Sequence, residues 1–320
     1  MIIQLKNKLK NKKIVKRIYS KLSIFLRAYF PVVAARLRYY IAYGEKLNLK
    51  YPQTFSEKLL WLSLNTYRNN PLILELSDKY LVRNYVKEKV GEEILNELYY
   101  VWESPDEIKL DELPESFALK LSQGCGTNLL CADKSKLSQK QLNLILKKWN
   151  KGQFFYDKIM ADIGGIKIKN LKKYYICEKY LYQEGQESPI DYKFYCFNGI
   201  PKAILVIMNR FTAKAGVFMT PEWEFLSELS GNYKAPDEPI KKPKSLDMMI
   251  EIARKLSEGF PFVRVDLYEI AGKTIFGEMT FFPSGCVKMQ ETTINGINMG
   301  ELLDISKEMY NIQTKSNNTV

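Results

Sequence analysis

Residues 262–285, FVRVDLYEIAGKTIFGEMTFFPSG, decide the fold. The flanks VRVDLYEI and KTIFGEMTF are rich in β-branched and aromatic residues, and Ala271-Gly272-Lys273 between them reads as a turn. The segment is therefore an antiparallel hairpin. With Ile270 paired to Thr274, Asp266 falls opposite Glu278. Cross-strand neighbours lie about 5 Å apart, so two bare carboxylates there repel unless a cation separates them. Thr280 shares the face of Glu278 and adds a hydroxyl oxygen. Magnesium takes hard oxygen ligands of this kind. A solvated hairpin edge with scattered acids is the alternative.

Working outward, the chain of 320 residues is 46% hydrophobic and 13% aromatic, which suits one large or two globular domains with a sizeable core. No stretch approaches the roughly 18 apolar residues that span a bilayer. The best candidate, AYFPVVAARL at 28–37, is short, contains Pro31 and lies against Arg27 and Arg36. The basic start leads into no secretory signal pattern. Five cysteines (125, 131, 177, 196 and 286) show no metal-ligand spacing, so a reduced, cytoplasmic chain is expected. Histidine is absent, which removes Ser-His-Asp and Cys-His catalysis, histidine metal ligation and imidazole proton shuttling. Chemistry must run on Asp, Glu, Lys, Arg, Tyr or Cys.

The net charge of +12 is concentrated at one end. Residues 1–44 hold eleven Lys or Arg and no acid, leaving 37 basic against 36 acidic residues elsewhere. The body is electrically balanced, so its charge gives no argument for a nucleic-acid-binding core. The N-terminal stretch, with Ile, Leu, Phe and Tyr interleaved, is suited to an anionic membrane surface or an acidic partner. Packing on the body by its apolar stripe is the alternative.

The pattern predicts helix over 1–44, ending near Gly44, and a second helix capped by Thr54 with Glu57 completing a capping box. Asn69-Asn70-Pro71 is a turn, and a helix opens around Asp78. Strands are expected over 97–103, 116–121 and LLCA (129–132), then a helix over 138–150 and a strand over 174–181. A hairpin over 191–210 turns at Asn198-Gly199. A Pro- and Lys-rich loop covers 231–244, and helices follow over 245–257 and 299–309. Mixed helices and antiparallel hairpins place the chain in the α+β or α/β class.

Lys120 ends a predicted strand just before SQGCGTN (122–128), where Gly124 and Gly126 free the backbone. A lysine beside such N–H groups suits phosphate oxygens. Lys79 is a second phosphate contact or a surface lysine. Glu178-Lys179-Tyr180-Leu181 offers what an adenine ring needs, or is an ordinary strand end. Lys193, Arg210 and Arg264 lie on predicted strands, where a buried cation needs a partner such as Asp191 or Glu269. Arg264, on the face of Asp266, is also placed to hold a substrate carboxylate or phosphate.

In this order the signals resemble the ATP-grasp superfamily, and more closely the TupA-like ATP-grasp family of teichuronopeptide and capsular-polysaccharide gene clusters. Matching stretches are YPQTFSEKLLWL (51–62), SDKYLVRNYV (77–86), LPESFALKLSQGCGTN (113–128), DYKFYCFNG (191–199) and FPFVRVDLYEI…IFGEMTF (260–281). The resemblance covers roughly residues 40–300. It implies an α+β ATP-grasp fold whose antiparallel sheets clamp nucleotide between two subdomains, behind a basic helical extension. The implied division is 1–50 extension, 51–112 N-terminal subdomain, 113–190 lid, 191–310 metal-binding subdomain and 311–320 disordered tail.

The resemblance also implies site roles. Lys79 and Lys120 would be the phosphate lysines, and Gly124 to Gly126 the loop over the triphosphate. Glu178, Lys179 and Leu181 would hold adenine, and Asp266, Glu278 and Thr280 magnesium. Arg264, Arg210 and Lys193 would face the substrate. Two positions depart from the pattern: Thr280 stands where many ATP-grasp enzymes carry Asn, and Gln123 where many relatives carry His. The implied activity is an ATP- and Mg2+-dependent carboxylate–amine ligase, joining an amino acid to a uronic acid of a surface polysaccharide. No nucleic acid is involved. The enzyme is expected in the cytoplasm, with peripheral contact at the inner membrane face through residues 1–44. A glycosyltransferase is the rival, weakened because no two aspartates stand two positions apart.

Overall fold

Pro31 divides the basic N-terminal stretch, where the pattern predicts one helix: α1 spans Lys13–Tyr29 and α2 spans Pro31–Tyr43. Proline fits the first turn of a helix but lacks an interior N–H donor, so it opens α2 and ends α1. Gly44 closes α2 at φ +77°, its N–H donated to the Tyr40 carbonyl. The computed structural model describes residues 13–124, 126–151, 161–163, 165, 172–183, 188–208, 215–227, 236, 239–287 and 293–317. Most of the Pro- and Lys-rich loop before residue 239 lies outside them.

Helix α3 (Phe55–Leu64) begins with the expected capping box of Thr54 and Glu57. Asn70 caps α4 (Pro71–Leu76), where only a turn was expected. Asp78 precedes α5 (Val82–Val90), its carboxylate accepting from the N–H groups of Tyr80 and Leu81. Next come β1 (Leu98–Trp102), β2 (Phe117–Leu121), β3 (Asn128–Cys131), α6 (Gln139–Lys151) and β4 (Tyr175–Lys179). These strands form an antiparallel sheet in the order β1-β4-β2-β3. Its strand β1 comes from upstream of residue 113. Phe117, Leu119, Leu121, Tyr175 and Cys177 pack with Leu142, Leu146 and Trp149 of α6 in a small core.

The larger sheet is antiparallel in the order β7-β6-β5-β8-β9. It comprises β5 (Asp191–Phe197), β6 (Ile200–Met208), β7 (Ala215–Met219), β8 (Phe262–Ile270) and β9 (Lys273–Thr280). A helix, α7 (Leu246–Ser257), buries Met249, Ile252, Ala253 and Leu256 against β5, β6 and β8. The rings of Phe55, Phe197 and Phe262 meet with centroids 5.0–5.5 Å apart, bringing α3 onto the sheet. A two-residue-strand hairpin, β10 (Thr293–Ile294) and β11 (Ile297–Asn298), leads to α8 (Met299–Leu302). Then α9 (Ser306–Asn317) runs through most of the tail expected to be disordered from 311. Buried Ile305 and the Asp304 carboxylate, which accepts from the Ser306 N–H, nucleate α9. Once nucleated, extension past 311 adds one hydrogen bond per residue. The architecture is α+β, with both sheets antiparallel.

The decisive hairpin differs from its expected register in an instructive way. Ile270 pairs with Lys273, not Thr274, across a two-residue turn in which Ala271 and Gly272 both have positive φ (50° and 78°). Carried on unchanged, that register would take Asp266 out of step with Glu278. A bulge between Asp266 and Leu267 on one side and Phe276 and Glu278 on the other restores the pairing. Gly277 is the extra residue; a Cβ there would lie 2.9 Å from both the Asp266 carbonyl oxygen and the Tyr268 ring. Gly277→Val is expected to lower stability by about 1–3 kcal/mol. Ala271→Gly, which relieves a left-handed residue, should leave stability unchanged or raised by about 1 kcal/mol. Urea denaturation of the two variants distinguishes these outcomes.

Candidate active site

Three strands of the large sheet line up one row of charge. Lys193 of β5 is the register partner of Asp266 on β8, and Asp266 that of Glu278 on β9. In the adjacent row Tyr195, Arg264 and Thr280 are register partners in the same sequence of strands. Alternation along each strand puts both rows on one face. The Lys193 ammonium donates to Asp266 Oδ2 and lies 2.7 Å from Asp191 Oδ2. Arg264 grips Asp266 with two hydrogen bonds of 2.6 and 2.7 Å, and reaches Glu278 Oε1 at 3.2 Å and Thr280 Oγ1 at 3.1 Å. The Thr280 hydroxyl donates to Glu278 Oε1 at 3.1 Å. Glu269, the other acid considered for these cations, instead accepts from the N–H and hydroxyl of Ser245. Arg210 lies outside the described residues.

The two facing acids differ in environment. Asp266 is 1% exposed, whereas the Glu278 side chain keeps 40% of its surface. Burial pushes the Asp266 carboxyl above its ordinary range; Arg264 and Lys193 oppose this, while Asp191 and Glu278 add to it. Burial also acts to raise Glu278, but Lys79, Lys193, Arg264 and the Thr280 hydroxyl outweigh it and bring the carboxyl down to about 2. Glu278 thus stands charged and partly open to solvent.

Lys79 links this row of charge to the second sheet. Its ammonium donates to the Gly124 carbonyl at 2.5 Å while its charge acts on Glu278. The Lys79 N–H donates to the Ser122 carbonyl, and the Ser122 hydroxyl to Asp78 Oδ2, so the glycine loop is clamped to the start of α5. Gly124 admits no side chain in this conformation, because its Cβ would fall 1.7 Å from Thr127 Oγ1; Gly126 sits at φ +71°. On the small sheet, Lys120 lies diagonally across from Glu178 and pairs with it at 2.6 Å. Arg83, one turn beyond Lys79, holds the other Glu178 oxygen at 3.2 Å. Asn96 donates to the Lys179 carbonyl at 2.9 Å. The Glu178 carboxylate is therefore committed to two cations, beside the segment Lys179 to Leu181.

A hydrogen bond thus joins Lys79 to Gly124, an ion pair joins Lys120 to Glu178, and strand register joins Asp266 to Glu278, although up to 199 positions separate members of the set in the chain. Arg83 and Asn96 escaped the sequence reading: neither has a local spacing signal, and their partner lies 82 or more residues away. Gln123 is buried and donates to the Lys172 carbonyl, a structural tie for the loop. Burial pushes the thiols of Cys177, Cys196 and Cys286 up to about 12, which removes them as nucleophiles at neutral pH.

Among the described residues no cluster of three or more Asp, Glu, Cys or His forms a closed metal cage. The donor set nevertheless fits magnesium, which is held in phosphate-handling sites by one or two carboxylates with phosphate oxygens completing its shell. Of the facing pair, the 40%-exposed Glu278 is the open donor, since Arg264 and Lys193 already hold both oxygens of Asp266, and Arg264, bonded to both acids, is the cation that separates them.

Residues 57–302 match a family model described as TupA-like ATPgrasp. No curated protein matches the chain. Among solved structures it is similar to D-alanine–D-alanine ligase from Bacillus anthracis complexed with ATP, at 14% identity and TM-score 0.43, covering 76% of this chain and 68% of that one. It is also similar to N5-carboxyaminoimidazole synthase from Aspergillus clavatus in complex with ADP and 5-aminoimidazole ribonucleotide (12% identity, 69% and 46% covered, TM-score 0.38). The ATP-grasp ligase PsnB with a phosphomimetic precursor variant, Mg and ADP is a third (12% identity, 71% and 58% covered, TM-score 0.35). These three are too distant to bear on the chemistry, and the chain spans only about half the length of the last two. The family match spans most of the chain, which belongs to the TupA-like ATP-grasp family.

Because Glu278 binds its proton less readily in the folded chain (about 2) than at its ordinary value of 4.5, its charge stabilises the fold above about pH 5. That contribution is lost as pH falls from 4.5 towards 2. Glu278→Gln should be less stable than the parent at pH 6, by on the order of 1 kcal/mol after solvent screening. The difference should close near pH 2, as read from urea midpoints across this range.

Proposed function

We propose that this member of the TupA-like ATP-grasp family is an ATP- and magnesium-dependent carboxylate–amine ligase that attaches an amino acid to a uronic acid of a surface polysaccharide. The observation that carries this reading is the double engagement of Lys79, on the glycine loop and on Glu278. This dual role of Lys79 supports reading the phosphate-type loop and the carboxylate pair as parts of one site. Lys79, Lys120 and the backbone of Gly124 to Gly126 would hold the triphosphate, and Lys179 to Leu181 the adenine. Glu178, tied to Arg83 and Lys120, would set the Lys120 ammonium in place beside the adenine. Magnesium held through Glu278, with Asp266 and Thr280 beside it, would supply positive charge against the phosphates.

In this mechanism a carboxylate oxygen of the uronic acid attacks the γ-phosphorus of ATP. The bond to the bridging oxygen breaks, giving an acyl phosphate and ADP. An amine then attacks the acyl carbon, phosphate leaves with its electron pair, and the amine sheds a proton. Two anions must approach each other in the first step, so the protein's main task is charge neutralisation. Arg264 and Lys193 would serve the substrate side, with Arg210 as a further candidate. No histidine is available to take the amine's proton, so a carboxylate, the departing phosphate or water must accept it.

The test is ADP release by the purified protein with ATP, magnesium, uronic acids and an amino-acid pool. Release that requires both carboxylate and amine is expected, and Lys120→Met or Glu278→Gln should lower kcat by about 10²–10³-fold. Absence of ADP release with any such pair, while ATP still binds, would sink the ligase reading. UDP-sugar turnover would favour a glycosyltransferase instead. Unimpaired ligation by folded Glu278→Gln would remove the carboxylate pair from the mechanism.

A further inference from the structure

The N-terminal helix pair turns an apolar stripe to solvent and the Arg27 and Arg38 guanidinium groups to the body, while α2 packs Ala34, Ala35 and Tyr39 inward. Ile18, Leu22, Phe25 and Tyr29 follow the i, i+4, i+7, i+11 spacing of one helical stripe. With Phe30 and Val33 across the Pro31 turn, they are each between 48% and 62% exposed. Phe25 gathers Tyr29 and Phe30 at ring-centroid distances of 4.8 and 6.0 Å, making an aromatic tip. On the opposite side Arg27 and Arg38 both bond the same oxygen of Asp162, and Arg38 also reaches the Gly285 carbonyl at 3.2 Å. Arg68 holds the carbonyls of Arg27 and Ala28 at 3.2 and 2.8 Å.

These ties fix which way the pair faces. Rolling the aromatics inward would strip two largely buried guanidinium groups of their carboxylate, a heavy penalty in a low-dielectric setting. An outward apolar stripe of this extent is costly in water unless something covers it. Charge indicates the cover. Residues 1–44 carry eleven Lys or Arg and no acid, and Lys21 and Arg36 are exposed alongside the stripe. No helix among the described residues is long and apolar enough to cross a membrane. A basic, aromatic-tipped, amphipathic element that cannot span instead suits the plane of an anionic interface.

We propose that the outer face of α1 and α2 docks on an anionic lipid surface, with Phe25, Tyr29 and Phe30 entering the boundary between headgroups and acyl chains. The docking is independent of the ligase reading, since none of these residues belongs to the candidate active site.

The test uses the full chain and sedimentation with vesicles. Binding to mixed phosphatidylglycerol–phosphatidylcholine vesicles is expected, with much weaker binding to phosphatidylcholine alone and partial release by salt. A Leu22→Glu/Phe25→Glu protein should bind at least about tenfold more weakly while keeping its circular dichroism and ATP affinity. Should that variant fail to fold, Phe25→Trp replaces it: its added emission should shift to the blue on binding and be quenched by brominated lipid. No binding to the mixed vesicles overturns the proposal. So does undiminished binding by the folded double variant, or an added emission blind to bromine, either of which leaves adsorption by charge alone. A concentration-dependent dimer that the variant abolishes, without vesicle binding by the parent, assigns the face to a second copy instead.

Discussion

One ammonium group answers to both sheets. Lys79 holds the Gly124 carbonyl of the small sheet's glycine loop and lends its charge to Glu278 on the acidic hairpin of the large one. The residues around it extend the same role. Asp78 clamps Ser122, and Arg83, one helical turn on, holds Glu178, which in turn holds Lys120. Six consecutive residues, Asp78 to Arg83, thereby position most of the polar groups that matter. A segment that carries so many long-range ties tolerates little movement, because a buried charge left without its partner costs several kcal/mol.

Charge balance in the site follows from the same arrangement. Three acids (Asp191, Asp266 and Glu278) face three cations (Lys79, Lys193 and Arg264). Asp266 is deep and held by two cations, while Glu278 remains charged and open to solvent. Register partners with unlike environments give the site one fixed and one accessible carboxylate. This asymmetry comes from position along the sheet: Asp266 lies on interior strand β8, Glu278 on edge strand β9.

The hairpin was legible for a reason only partly sound. Asp266 does face Glu278, but through a two-residue turn and a compensating bulge rather than the three-residue turn that simple counting suggests. A glycine inside a strand is a known mark of a bulge, so Gly277 held the missing signal. Alternation, turn residues and the capping box of Thr54 and Glu57 were readable because they act within a few residues. Arg83 and Asn96 were not, since their role exists only once Glu178, more than 80 residues on, has folded against them. The Glu178 carboxylate, which resemblance directs to adenine, is held by two cations whose positions no local pattern encodes.

By itself, the sequence determined a mixture of helices and antiparallel hairpins, the hairpin with its facing acids, the absence of imidazole chemistry and the family signature that implied the α+β class, all properties of composition or short-range order. Tertiary structure alone decided that Lys79, bonded to the glycine loop, also lends its charge to Glu278 of the acidic hairpin. It also decided that the N-terminal pair shows solvent the stripe of Ile18, Leu22, Phe25 and Tyr29 while Arg27 and Arg38 face the body. Periodicity reports that a helix has two faces; which face meets the body depends on partners such as Asp162, placed more than a hundred residues away.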